Sequence, residues 1–372
     1  MESEIKYIYG LTPLQEGMLF HKLVSEESSS YHNQDAVWID EEILLEKFKL
    51  ALKLLMVKHE AIGAAFVVPN TTGIPRQVFF QEREIECSYE VTDRNDVDQY
   101  IDEIRNKDLD RGFDLQKDCL MRVSIVHFTE IGKYYILISH HHIIMDGWCM
   151  SIVFSDLMRY YNQMVSGDSY EKVYEIVQKE KETSSKYIEY LKWLKNADRK
   201  KGLAYWKNVL EEYEDIADIS PCFQEKNTDE RVKEKTILFE QNEYGMIKQV
   251  SRRFNVTVNT IFEAAWGILL QKYNYLDDVV FGKVVSGRNV PISGIEETVG
   301  LFINTIPCRV TSIPDMIVSD LIKEVQNQAA MSTSYDFCPL FEIQKYTKQR
   351  ADLIKSLVNF EYGDDYQEIA LE

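Results

Sequence analysis

The stretch from Ile136 to Met164 constrains the fold more than any other part of the chain. An apolar run, Ile136-Leu137-Ile138-Ser139, has the composition of a buried strand. It leads directly into His140, His141 and His142, then through Ile143-Ile144-Met145 to Asp146 and Gly147. From Trp148 a helical period begins, with Met150, Val153, Phe154, Leu157, Tyr161 and Met164 at helical spacing. A strand that hands over to a helix within a few residues is the unit from which α/β proteins are built, and its junction is where they place ligands and reactive groups.

The same alternation runs through the rest of the chain. Residues 43–58 read as a helix with Phe48, Ala51, Leu52 and Leu55 on one face, and 120–128 and 134–139 as strands. Residues 166–186 are polar and charge-dense and read as a surface connection between lobes, helical in part. Residues 187–210 read as one long aromatic-rich helical stretch, followed by a loop with Pro221 and Asn227. A helix is expected over 258–273, with Ile261, Phe262, Ala265 and Leu269 as its apolar stripe, and a buried strand over 279–285. At 372 residues the chain exceeds one small core, so two lobes are expected, 1–180 and 181–372.

Charge and composition exclude several functions. A net charge of −19 argues against nucleic acid as the main partner, since phosphate neutralisation needs clustered Lys and Arg. No apolar run approaches the ~20 residues that a membrane helix needs, and the start Met1-Glu2-Ser3-Glu4 is acidic with no secretory apolar stretch after it. No membrane association and a cytoplasmic location are therefore expected. The six cysteines, at 87, 119, 149, 222, 308 and 338, show no C-x-x-C spacing and read as buried free thiols. There is no G-x-S-x-G elbow, P-loop or G-x-G-x-x-G fingerprint.

What remains is the histidine run. Imidazole titrates near neutral pH, so it can accept or donate a proton under working conditions. Asp146, four residues after His142, can orient a ring or pin the turn, and Gly147 lets backbone pass close to a substrate. Metal binding by all three histidines is disfavoured, because neighbouring strand residues point to opposite faces and no Cys or carboxylate set completes a site. His140 or His141 is expected to be a buried structural histidine. One of the three is expected to be functional; these considerations do not choose which. The residues alone thus describe an α/β protein with a histidine-based site between two lobes.

His141-His142-x-x-x-Asp146-Gly147 resembles the HHxxxDG motif of condensation domains of nonribosomal peptide synthetases, within the chloramphenicol-acetyltransferase-like superfamily. Other segments resemble that family in order. Leu11-Thr12-Pro13-Leu14-Gln15-Glu16-Gly17-Met18-Leu19-Phe20-His21 is similar to its opening motif, especially in the subtype that follows an epimerisation domain and takes a D-residue donor. Arg111 to Leu115 with Leu120-Met121-Arg122 resembles the segment before the histidines, and Tyr187 to Trp193 with Tyr205-Trp206 the helix opening the second half. Ser286-Gly287-Arg288, Val299 to Thr305 with Arg309, Pro339 to Gln344 and Phe360-Glu361 are similar to its later motifs. Three departures stand out. Gly63 occupies the place of the second arginine in an R-H-x-x-L-R-T-x-F motif, Cys119 that of a common proline, and the chain ends at Glu372, earlier than typical members.

The resemblance implies two acetyltransferase-like lobes in a V, each a mixed sheet with flanking helices, the second apparently truncated, with a tunnel between them. It implies amide bond formation between a donor peptidyl or acyl thioester and an acceptor aminoacyl thioester, as in the biosynthesis of antibiotics and other secondary metabolites. Both substrates would ride on 4′-phosphopantetheine arms of partner carrier domains, beside adenylation and epimerisation domains, with no permanently bound cofactor and no metal. His142 would hydrogen-bond the attacking amine and accept its proton, and His141 would pack behind it. Asp146 would hold the loop, with Arg288 as its candidate partner, and the Gly147 N–H would lie near the developing oxyanion. Trp148 and Asn304 are expected as supporting residues. Three other readings are an epimerisation domain, a non-catalytic docking module of the same fold, for which Gly63 and the early terminus speak, and a free acyltransferase using coenzyme A.

Overall fold

A computed structural model describes residues 4–24, 30–219 and 235–361. They form two compact units, Met1–Ala197 with Val290–Ile303, and Asp198–Asn289 with Asn304–Glu372. The division therefore falls at Ala197, not at residue 180, and a segment from the second half is part of the first unit.

In the first unit, β1 (Ile5–Tyr9), α1 (Pro13–Val24), β2 (His32–Ile39), α2 (Leu45–Lys58), β3 (Ala65–Val67), β4 (Arg76–Phe80), β5 (Glu86–Thr92), α3 (Val97–Arg111), β6 (Met121–Phe128) and β7 (Lys133–His141) lead to α4 (Trp148–Val165), α5 (Tyr170–Thr183) and α6 (Tyr187–Asn196). The strands make a small sheet of order β1-β4-β3 and a mixed sheet of order β2-β7-β6-β5. In the mixed sheet β7 runs antiparallel to β2 and β6, whereas β5 and β6 are parallel. Alternation along β7 separates its two faces. Tyr134, Ile136 and Ile138 join the main core with Phe48, Leu52 and Leu55 of α2 and Val153 and Leu157 of α4. Tyr135 and Leu137 face Val97, Tyr100, Ile101 and Ile104 of α3.

Residues 166–186 are not a linker. Most of them form α5, which buries Val173 and Val177 in the first core and ties Glu180 to Arg159 of α4 at 2.7 Å. The charge density reflects one solvated face of an amphipathic helix. The expected helix over 187–210 is broken at Ala197-Asp198 into α6 and α7 (Arg199–Val209); the Asp198 side chain caps α7 by accepting from the Lys201 N–H at 2.9 Å.

The second unit continues with α8 (Gln241–Phe254), α9 (Val258–Asn274), β8 (Asp278–Val285), β9 (Asn304–Thr311), α10 (Val318–Ser332), α11 (Leu340–Gln344) and β10 (Leu357–Val358), its sheet ordered β10-β8-β9. Phe360 and Glu361 lie just beyond β10 rather than in a strand. The stripe expected on α9 is also revised: Ala265 and Leu269 are exposed, and the buried face is Val258, Thr260, Glu263, Ala264, Gly267, Leu270 and Gln271. Close approach explains the exchange. A Cβ on Gly267 would stand 2.7 Å from Val310 of β9, and Gln271 donates to the carbonyls of Asp277 (2.8 Å) and Val310 (3.0 Å). Pro221, Asn227 and Cys222 lie outside the described residues. The five described cysteines are free thiols, with 149, 308 and 338 buried and Cys87 and Cys119 only partly so. Among the described residues no helix is long and apolar enough to cross a membrane.

Candidate active site

The strand continues two residues further than its composition indicated, so His140 and His141 are its last residues and His142 opens a single 3-10 turn, His142–Ile144. Opposite faces of the sheet receive the first two. His140 falls on the side of Ile136 and Ile138, almost fully buried, with Nε2 3.4 Å from Asn33 Nδ2 and Nδ1 3.6 Å from the Asp35 carboxylate. Burial, reinforced by the neighbouring histidines, lowers its pKa to about 3. His141 is buried too; its Nδ1 accepts the Ile143 N–H at 3.1 Å, and burial with the nearby Lys22 lowers its pKa to about 3. Both rings are therefore neutral near pH 7 and enclosed.

His142 differs in each respect. It is half-buried, its backbone N–H donates to Tyr31 O at 2.7 Å, and its ring Nδ1 lies 2.8 Å from Met145 O. A carbonyl can only accept, so Nδ1 carries the hydrogen and the neutral ring keeps its lone pair on Nε2. Of the three histidines, only this one combines partial exposure with a free basic nitrogen.

Asp146 is buried and holds the turn to the 290–303 segment. One carboxylate oxygen accepts from the Phe302 N–H at 3.0 Å and the other from Cys149 Sγ at 3.2 Å, while the Asp146 N–H donates to Gly300 O at 3.4 Å. Cys149 adds a contact of 3.3 Å to the same Gly300 carbonyl. Gly147 is exposed with φ −59 and ψ −30, which any residue adopts, so backbone conformation does not require a glycine there. Trp148, 55% exposed beside it, donates its indole N–H to Glu296 O at 2.8 Å. These five residues, 141, 142 and 146–148, are gathered on one strand–turn–helix junction.

The other two expected residues belong to the second unit. Asn304 is buried at the start of β9 and donates to the carbonyls of Asp336 (2.7 Å) and Cys338 (2.8 Å), anchoring the approach to α11. Arg288 is buried after β8. Gly63 sits beside the flexible end of the Met56 side chain. A Cβ there would meet Met56 at 2.8 Å, and Arg83 lies alongside, its guanidinium donating to the carbonyls of Asp118 (2.7 Å) and Lys117 (2.6 Å).

Two polar networks join residues that the sequence showed only singly, as parts of motifs, or not at all. Asp108 of α3 receives His32 at 2.9 Å, Gln34 at 2.7 Å and Arg122, and the Arg122 guanidinium also lies over the Phe113 ring at 4.1 Å. Burial alone would raise the Asp108 pKa, but these donors hold it well below the carboxylate range. Asp156 of α4 gathers His59, Lys58 and Arg159, at 2.8, 2.8 and 2.7 Å. Most partners of each network lie on different elements, Arg159 being only three residues from Asp156, so spacing carries little trace of them.

A mixed α/β fold with a histidine turn at a strand end defines the class, and comparison with known proteins gives the family. The family model described as "Condensation domain" matches residues 5–370. Tyrocidine synthase 3 of Brevibacillus parabrevis is 37% identical over 100% of this chain and 6% of its own length; bacitracin synthase 1 of Bacillus licheniformis is 33% identical over 96% and 7%. The chain thus spans less than a tenth of these two relatives. Among solved structures, the first condensation domain of the CDA synthetase superposes with a TM-score of 0.72 at 13% identity, covering 96% of this chain and 83% of that one. The chain belongs to the condensation-domain family of nonribosomal peptide synthetases, whose general reaction is amide bond formation between carrier-bound substrates.

Proposed function

We propose that this chain joins a donor acyl or peptidyl thioester to an acceptor aminoacyl thioester, with His142 as the proton acceptor. The acceptor α-amine attacks the thioester carbonyl carbon. A C–N bond forms, the C–S bond breaks, the amine proton passes to His142 Nε2, and the departing thiolate takes up a proton. A free α-amine has a pKa of about 7.7–8.0 and the thioester is already activated, so positioning matters beside proton removal. The observation that carries the assignment is the Nδ1–Met145 O bond at 2.8 Å, which leaves Nε2 as the basic atom of a half-buried ring. Asp146 and His141 serve as supports, and the exposed Gly147 N–H is offered to the developing oxyanion.

The partners would be donor and acceptor carrier domains bearing 4′-phosphopantetheine, with adenylation and epimerisation domains adjacent. The similarity of the segment from Leu11 to His21 to the D-donor subtype supports a donor ending in a D-residue. The test is His142→Ala in the intact synthetase, assayed for dipeptidyl product on the acceptor carrier. We expect the rate to fall by about 10²–10⁴-fold, the usual contribution of a general base. Product formed at the parental rate would overturn the assignment. So would exchange of the α-proton of an L-aminoacyl carrier in deuterated water without amide formation, the outcome an epimerisation domain would give.

A further inference from the structure

The His142 turn is a single 3-10 turn, too short to hold its shape by its own hydrogen bonds. It is supported from α1 by a residue that no step of the reaction uses. Gln15 is fully buried, and its Nε2 donates to Ile143 O at 2.9 Å across 128 residues of sequence. Its Oε1 accepts the Thr12 N–H at 2.9 Å and Gln77 Nε2 at 3.2 Å. Gln77, also buried, donates in turn to Gly10 O at 2.7 Å.

The orientation of the Gln15 amide is not arbitrary. A backbone N–H faces one end and a backbone carbonyl the other, so the oxygen must meet Thr12 and the nitrogen Ile143. Ile143 stands between His142 and Met145, whose carbonyl holds the His142 Nδ1–H. On its other side the Ile143 N–H is tied to His141 Nδ1. With both its backbone polar groups bonded, Ile143 cannot rotate, and the Met145 carbonyl stays where the His142 ring finds it.

We propose that Gln15 is a positioning residue for the condensation reaction: through Ile143 it fixes the turn that keeps His142 protonated on Nδ1 and basic on Nε2. The proposal rests on His142 being the proton acceptor, but its physical core, the tautomer, can be read without any amide-forming assay. A buried amide that merely filled space would not control which ring nitrogen bears the hydrogen.

The experiment labels the histidines of the chain with ¹⁵N and records long-range ¹H–¹⁵N correlations, His142 being identified by its loss in His142→Ala. Parental protein is expected to show a protonated Nδ1 and a bare Nε2. In Gln15→Met, which keeps the length of the side chain and removes its hydrogen bonds, both nitrogens should move toward averaged shifts. In the intact synthetase the same variant should lower kcat at least tenfold with KM for the donor carrier little changed. Folded Gln15→Met with His142 shifts identical to the parent would overturn the proposal. If Gln15→Met does not fold, Gln77→Met decides: it removes one donor to Gln15 Oε1 from outside the turn, a partial move of the His142 nitrogens is expected, and unchanged shifts in the folded variant would overturn the proposal equally. A tautomer that shifts as expected while His142→Ala retains parental activity would sink the proton-acceptor role and leave the control by Gln15 standing.

Discussion

Asp146 acts on its surroundings through both carboxylate oxygens, each accepting: one from the Phe302 N–H, the other from Cys149. Replacing one oxygen by an amide nitrogen puts a donor against a donor in a buried site, which costs about 1–3 kcal/mol for an unsatisfied pair. Asp146→Asn should therefore lower the unfolding free energy read from a urea titration by that amount and reduce activity through loss of loop order. Asp146→Asn with parental stability and no activity would point instead to direct participation in catalysis. How far single residues were legible follows from the same geometry. The motif residues 141, 142 and 146–148 do share one strand–turn–helix junction, and the alternation of strand residues places His140 and His141 on opposite faces. Which histidine is exposed depends on where β7 ends and on the register His141↔His32, neither of which local composition determines. Gln15 was visible only as part of a motif, because its partner is Ile143.

At the scale of elements, legibility tracked how strongly an element relies on apolar burial. The face of α2 was readable since Phe48, Ala51, Leu52 and Leu55 are all buried. That of α9 was not, because the helix packs through Gly267, Gln271 and a Glu263–Lys283 pair, and apolar periodicity is blind to small and paired polar residues. Close approach also governs the 290–303 segment. A Cβ on Gly300 would stand 2.2 Å from the ring of Tyr187 in α6. That ring cannot retreat: it is buried, its hydroxyl donates to Leu301 O at 3.0 Å, and Phe302 packs edge-on at 5.2 Å. Gly300→Ala is expected to destabilise the fold by about 1–3 kcal/mol, the usual effect of overpacking. Gly17, exposed in α1 with open space where a Cβ would go, provides the contrast, and Gly17→Ala should stabilise by about 0.5–1 kcal/mol. Paired urea titrations check both, and equal midpoints for the two variants would refute the packing argument.

At the scale of the whole molecule, the two units are built to respond to acid in opposite senses. The first buries His59, His140 and His141, all with lowered pKa values, the latter two at about 3. In the unfolded chain each would take up a proton near pH 6.5. Below that pH the unfolded state binds more protons than the native one, so stability falls as pH drops toward 3. By pH 5, His140 and His141 each cost about 2 kcal/mol. Asp35, raised by burial, opposes this, whereas Asp108 and Asp156, held low by their donors, lose their contribution only below about pH 3.9. The second unit buries Asp336, whose pKa burial raises to about 7, and Glu263, raised likewise beside Lys283. There the native state holds protons that the unfolded chain has released, so stability is lost as pH rises through about 4 to 7 and regained on acidification. Hydrogen exchange followed by mass spectrometry at pH 7.5 and pH 5, corrected for intrinsic rates, should show β6 and β7 losing protection at the lower pH while β8 and β9 gain it. Asp336→Asn should diminish the gain in β8 and β9 and raise the stability of that unit at pH 8 by up to about 4 kcal/mol, with a difference of only about 0.5 kcal/mol at pH 4. Protection that moves in the same direction in both units, or an Asp336→Asn variant with unaltered pH dependence, would mean that these buried groups do not set the response.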